Sequence, residues 1–142
     1  MLGRLAYYYA QVRQAQAKHD KPPRWEHIDR AIRLTDLPEG AEVLCVGARN
    51  AAEPLAFHAR GYRALGVDLL PHLHPAMRWG DFHHLPFRDA RFSLLYSAHA
   101  YEHSRDIAVA AKEALRVLKP GGFLYAAFPV GFVPSPHDLV DF

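Results

Sequence analysis

Glu42-Val43-Leu44-Cys45-Val46-Gly47-Ala48-Arg49-Asn50-Ala51-Ala52-Glu53 reads as a buried strand, a tight turn and the first turn of a helix. The apolar run Val43–Val46 suits an inner parallel strand covered on both faces. Gly47 follows it directly, and a residue without Cβ permits a tight turn and a close backbone approach to a ligand. Pro54 falls in the first turn of the next helix, where its missing N–H is tolerated. Doubly wound α/β folds hold a cofactor at such a junction, and the amides of residues 49–52 would face the crevice from a helix start. Only one glycine stands where these loops usually carry two or three. Taken alone, the junction leaves open both a ligand site and an ordinary strand–helix turn.

Outward from this junction the pattern alternates. Ala51–Arg60 is helix-compatible and Gly61 is a natural stop. Arg63–Val67 reads as a second strand ending at Asp68, Ala76–Trp79 as a short third, and Phe92–Ser97 as a fourth. Ser104 is the expected N-cap of a long helix to Leu118, with Ile107, Ala111, Ala114, Leu115 and Leu118 as its buried stripe. Lys119-Pro120-Gly121-Gly122 is a sharp turn before a fifth strand, Phe123–Phe128. Such a βαβ series implies right-handed crossovers and a parallel sheet. Upstream, residues 2–19 and about 24–35 read as helices, the second with Trp25, Ile28 and Ile32 on one face. The expectation is one domain over residues 1–142, with 1–40 a helical region within it. The apolar groups of the tail Pro129–Phe142 need cover, either over the sheet or against another chain. A homodimer is therefore a working hypothesis for the fifth strand's apolar edge.

The 142 residues, half of them apolar and with a formal net charge of +2, suit one soluble globular core. The basic residues are scattered, without the aromatic interleaving of single-strand binders, so a nucleic-acid partner is not expected. One cysteine, Cys45, excludes an internal disulfide and fits a reducing compartment. The N-terminal stretch reads as neither signal peptide nor membrane span, which makes the cytoplasm the expected location.

Several side chains are candidates for chemistry. Arg49 suits a carboxylate or a phosphate, or is a solvated charge. Glu53 in a first helical turn complements the helix dipole or receives an ammonium. Asp68 closes the second strand, where carboxylates bind ribose hydroxyls, or else it is a turn residue before Leu70. Asp81 either accepts from an exocyclic amine or caps its own turn. His72, His74, His83, His84, His99 and His103 fall in or near the loops at one end of the sheet, but no tight Cys/His motif joins them and no metal site is expected. His103, alone or with Glu102, is the candidate general base or substrate contact. No serine nucleophile elbow and no phosphate loop ending in Gly-Lys-Ser/Thr is present.

In this order the segments are recognisable. Ala111–Phe128 (AKEALRVLKPGGFLYAAF), Gly80–Tyr96 (GDFHHLPFRDARFSLLY) and Ser97–His103 (SAHAYEH) resemble the class I S-adenosylmethionine-dependent methyltransferases, in particular the type 11 small-molecule group. The resemblance covers roughly residues 24–130 and implies a three-layer, Rossmann-like α/β fold with a mostly parallel sheet. It places Gly47, with Ala48, Arg49 and Glu53, beside the amino-acid end of S-adenosyl-L-methionine. It places Asp68 at the ribose and Asp81 and Phe82 near the adenine, with Leu69 and Ser97 also at the cofactor. Tyr101 and His103 would face the methyl donor or the acceptor. The sulfonium is already activated, so alignment and exclusion of water would carry much of the rate.

Two departures stand out. The usual acidic-x-Gly-x-Gly-x-Gly loop is here Cys45-Val46-Gly47-Ala48-Arg49-Asn50-Ala51, with Cys45 at the acidic position and Arg49 and Ala51 at the later glycines. The sequence also ends soon after the fifth strand, whereas the family sheet continues with two more. The leading expectation is methyl transfer to an unspecified small molecule. The alternatives are a non-catalytic member of the fold acting as a cofactor-binding or protein-interaction subunit, and a phosphate-bearing nucleotide binder with Arg49 at the charge.

Overall fold

The computed structural model describes Arg13 and residues 20–131. The expected helix over residues 2–19 and most of the tail lie outside the described residues. Helix α1 spans Trp25–Thr35 and buries Ile28 and Ala31. It ends at Asp36, which takes a left-handed φ of 45° and donates its amide to the Ile32 carbonyl. Trp25 does not share the buried face. It is exposed, with the Arg60 guanidinium 4.7 Å above its ring.

The sheet elements follow in the expected order. Strand β1 is Glu42–Val46, α2 is Ala52–His58, β2 is Arg63–Asp68 and β3 is Met77–Trp79. Strand β4 is Phe92–Ala98, a 3-10 turn covers Tyr101–His103, α3 is Ile107–Val117 and β5 is Leu118–Ala127. Their order in space is β3-β2-β1-β4-β5, and every neighbouring pair is parallel. The chain leaves β1 toward β2 and β3, then returns to β4 on the other flank. The C-terminal ends of β1 and β4 therefore part, which opens a crevice at the switch point.

Alternation along β1 builds the two sides of the core. Val43 and Cys45 join Ile28, Ala31 and Phe57 on the α1–α2 face, while Leu44 and Val46 join Ala110, Ala114 and Val117 on the α3 face. The three layers are thus α1 and α2, the sheet, and α3.

Three expectations are corrected here. Asp106, not Ser104, caps α3: its Oδ1 accepts from the amides of Ala108 and Val109, each at 3.1 Å. The buried stripe is Ala110, Ala114 and Val117, leaving Ile107 and Leu115 exposed. Small residues line the buried face, so the helix turns its larger apolar groups outward. The Lys119–Gly122 turn is also absorbed into β5, as a shift of register between the Phe92–Leu118 and Leu94–Phe123 pairs. Gly121 at φ 76° makes that irregularity accessible. Beyond it β5 is an edge strand on which Phe123 and Leu124 are exposed.

Candidate cofactor site

The turn after β1 is shaped by two left-handed residues. Gly47 has φ 71° and donates its amide to the Val67 carbonyl at 2.8 Å, which ties the loop to β2. A Cβ at this position would overlap the Ala100 Cβ from the loop after β4. Glycine is therefore required by backbone and packing together. Arg49 also adopts a left-handed φ, 60°, where glycine would be unstrained. Ala51 has φ −77°, so the loss of the last glycine of the resemblance carries no conformational penalty.

The loop amides are used differently from the expectation. The Arg49 amide donates to Asp68 Oδ2 at 3.1 Å, that of Asn50 to the Ala48 carbonyl, and that of Ala52 to Asn50 Oδ1 at 3.0 Å. These donors are spent within the protein and do not form an open anion cradle. The short α2 starts with an acid, Glu53, in its first turn.

Asp68 stands at the C-terminal end of β2. Its Oδ1 accepts the Leu70 amide at 3.0 Å and its Oδ2 the Arg49 amide. Burial raises its pKa, and these amides and the Arg49 charge oppose the rise. The Leu69 amide is a third backbone donor to Asp68, and a carboxylate offers about four acceptor directions, so it is still able to take a hydroxyl donor. Burial likewise lowers the Arg49 guanidinium from its ordinary value, opposed by Asp68.

Asp81 follows β3 and is locked from several sides. Oδ1 accepts from the His83 amide at 2.8 Å and lies 2.6 Å from His83 Nδ1, while Oδ2 accepts from Arg105 at 2.8 Å. Burial pushes its pKa up, but the His83 and Arg105 bonds outweigh that and hold it well below the carboxylate range. His83 Nε2 lies 2.8 Å from Ser104 Oγ. The hydrogen-bond chain Asp81–His83–Ser104 thus bolts the loop after β3 to the loop after β4. Phe82 packs its ring against Tyr101, with centroids 5.1 Å apart.

A narrow crevice of about 40 Å³ is bounded by Gly47, Arg49, Asp68, Leu69, Phe82 and His103. Next to it lies a cavity of about 250 Å³ bounded by Lys21, Arg24, Gly47, Ala48, Arg49 and Glu53. Gly47 and Arg49 border both. Of the residues expected at the site, Tyr101 does not line the crevice. Its ring is buried against Phe82, its hydroxyl has no partner among the described residues, and burial raises its pKa. Ser97 is buried within β4, also without a hydroxyl partner among the described residues, and Asp81 does not line the crevice.

Sequence reasoning missed Arg24, whose Nη1 reaches Glu53 Oε1 at 3.2 Å, and the His27–Tyr125 contact of 2.9 Å beside His99. Nothing local announces either, since each joins residues far apart in the chain. The Asp106 cap was legible as an aspartate just before an apolar run.

A parallel α/β sheet with a crevice at its switch point and an acid at the end of its second strand is a doubly wound architecture, in which ligands sit outside the carboxyl ends of the strands. A family model described as a methyltransferase domain matches residues 44–126, and the chain belongs to that family. It is 34% identical over 107 residues to a 2-methyl-6-phytyl-1,4-hydroquinone methyltransferase of Synechocystis sp., covering 66% of this chain and 34% of that protein. It is 35% identical over 88 residues to malonyl-[acyl-carrier protein] O-methyltransferase 1 of Coxiella burnetii, covering 58% and 31%. Among solved structures, the YcgJ protein of Bacillus subtilis superposes with a TM-score of 0.62 at 24% identity, over 71% of this chain and 49% of that one. The chain spans about a third of the length of the curated relatives it matches. No helix among the described residues is long and apolar enough to cross a membrane.

Proposed function

We propose that this chain binds S-adenosyl-L-methionine across the crevice and its neighbouring cavity and transfers its methyl group to a small-molecule acceptor. The observation that carries this reading is Asp68. Its carboxylate sits at the end of β2, is oriented by the Arg49, Leu69 and Leu70 amides, and keeps an acceptor direction for a ribose hydroxyl. The donor set around it fits the rest of the cofactor: Phe82 offers a face to the adenine, Gly47 lets the backbone approach, and the cavity beyond holds one buried acid and three cationic side chains. When bound, the cofactor supplies a methyl group on a sulfonium that needs no further activation.

The protein's part is then to align and to exclude water. Asp68 holds the ribose, and the Asp81–His83–Ser104 chain keeps the Phe82 loop in place. His103, which lines the crevice, would be the group to take a proton from an acceptor. Tyr101 is a packing residue under Phe82.

Calorimetry against S-adenosylmethionine and S-adenosylhomocysteine tests the proposal. Low-micromolar binding is expected, and Asp68→Ala should weaken it roughly 10-fold or more by removing a charged acceptor. Wild-type protein that binds neither ligand at millimolar concentration would sink the reading.

A further inference from the structure

The loop from β2 to β3 and the end of β3 hold large apolar side chains in solvent. Residues 69–80 read Leu-Leu-Pro-His-Leu-His-Pro-Ala-Met-Arg-Trp-Gly, without an acid. Leu73 is 96% exposed, Trp79 70% and Leu70 38%. A single exposed leucine is ordinary, but three large apolar groups in one short segment call for a reason. They are also not free to fold inward. The Leu70 amide donates to Asp68 Oδ1 at 3.0 Å and that of His72 to the Arg49 carbonyl at 2.9 Å. The Ala76 amide donates to His74 Nδ1 at 3.0 Å and that of Met77 to the His74 carbonyl at 2.9 Å. The backbone is thus fixed on both sides of Leu73, and its side chain is held in water.

The segment stands beside the crevice. Trp79 pairs in register with Asp68, Leu70 follows two residues after Asp68, and Leu69 lines the crevice itself. Two kinds of occupant suit apolar groups at a sheet edge, a partner strand and a lipid surface. Strand β3 is three residues long, and Arg78 Nη1 takes the Met77 carbonyl at 2.8 Å, so the edge offers a strand little backbone to pair with. Tryptophan, leucine and arginine without an acid match a bilayer interface instead. There an indole sits at the headgroup level, leucine enters the acyl boundary and a guanidinium meets anionic headgroups. Arg78 is exposed next to Trp79 and supplies that charge.

We propose that residues 69–80 form a docking surface for an anionic lipid bilayer, with Leu73 and Trp79 entering the interface and Arg78 meeting the headgroups. The protein then rests on the membrane at its periphery, an attachment that needs no spanning helix. Such docking does not require the cofactor reading above.

The test uses the full chain and two sets of vesicles, phosphatidylcholine alone and phosphatidylcholine with phosphatidylglycerol in equal parts. Co-sedimentation should show binding to the anionic set and markedly weaker binding to the neutral one. The chain has two tryptophans, so Trp25→Phe leaves Trp79 as the reporter. Its emission should shift to the blue on binding and be quenched by brominated phosphatidylcholine. Leu73→Asn should weaken binding roughly 3- to 10-fold. Its melting temperature should stay at the wild-type value, because a side chain so exposed contributes little packing. Arg78→Gln should lose about fivefold on anionic vesicles, and Arg78→Lys should keep most of the binding. No binding to either vesicle overturns the proposal. So does binding that Leu73→Asn and Trp79→Ser leave unchanged, since it places the contact elsewhere. A blue shift of Trp79 that grows with protein concentration in the absence of vesicles assigns the surface to a second copy and also overturns it. Each of these results leaves the calorimetric test of the cofactor reading untouched.

Discussion

Replacing Gly47 by alanine probes the backbone geometry on which the crevice depends. Gly47 has φ 71°, a conformation that costs an L-residue about 1–2 kcal/mol. The new Cβ would overlap that of Ala100, which belongs to the loop leaving β4, and neither loop can retreat without moving. The Gly47 amide is tied to the Val67 carbonyl, and Ala100 is buried and precedes the 3-10 turn that carries His103. Overpacking of this kind costs about 1–3 kcal/mol. The two effects together give about 2–5 kcal/mol, which for a chain of this size lowers the melting temperature by roughly 8–20 °C. Differential scanning calorimetry measures this directly. The double variant Gly47→Ala/Ala100→Gly separates the terms: it removes the overlap but not the left-handed strain, so it should recover about 1–3 kcal/mol as a coupling between the sites. A single variant melting within about 2 °C of wild type, below the shift expected from even the smaller term, would refute the argument. So would strict additivity of the two substitutions, because it would show that the side chains do not meet.

Two further outcomes concern stability. Glu53 is raised from 4.5 to about 7 in the fold, so between those values the native state binds more protons than the unfolded chain, and stability should fall as pH rises through that window. The loss is on the order of 3 kcal/mol by pH 8, read from urea unfolding at pH 5, 6 and 8, and Glu53→Gln should flatten it; a wild-type profile that rises over the same window contradicts the burial argument. Asp106→Ala should cost about 0.5–2 kcal/mol by removing the cap of α3, while Asp106→Asn, which keeps a capping oxygen, should cost only a few tenths, and urea midpoints showing no loss in Asp106→Ala would overturn the assignment of the cap.

The turn after β1 keeps its shape by hydrogen bonds within the protein. The loop after β1 spends the amides of Arg49, Asn50 and Ala52 internally, on Asp68, Ala48 and Asn50, so those donors are not open to a ligand. Arg49 accepts a left-handed backbone and borders both the crevice and the cavity. The family's loop is therefore altered in composition here without losing its turn.

Much of this was legible along the chain. The apolar run of β1, the Asp68 and Asp81 that close β2 and follow β3, and the helix before β5 are local patterns, because strand and helix periodicity and turn chemistry act over a few residues. The β1–Gly47 junction, the order of elements and hence the family follow from them. What tertiary structure alone decided lies between distant residues. Arg24 meets Glu53, and His83 meets Ser104, only because packing brings their loops together at one end of the sheet. The face of α3 that is buried depends on how closely Ala110 and Ala114 let the helix approach the strands, and that turned Ile107 and Leu115 outward. The fate of the loop amides was hidden for the same reason: a backbone donor finds its acceptor in three dimensions, and Asp68 reaches Arg49 from the neighbouring strand. Local pattern sets which element each residue joins; the packing of elements sets which side chains and amides remain for a ligand.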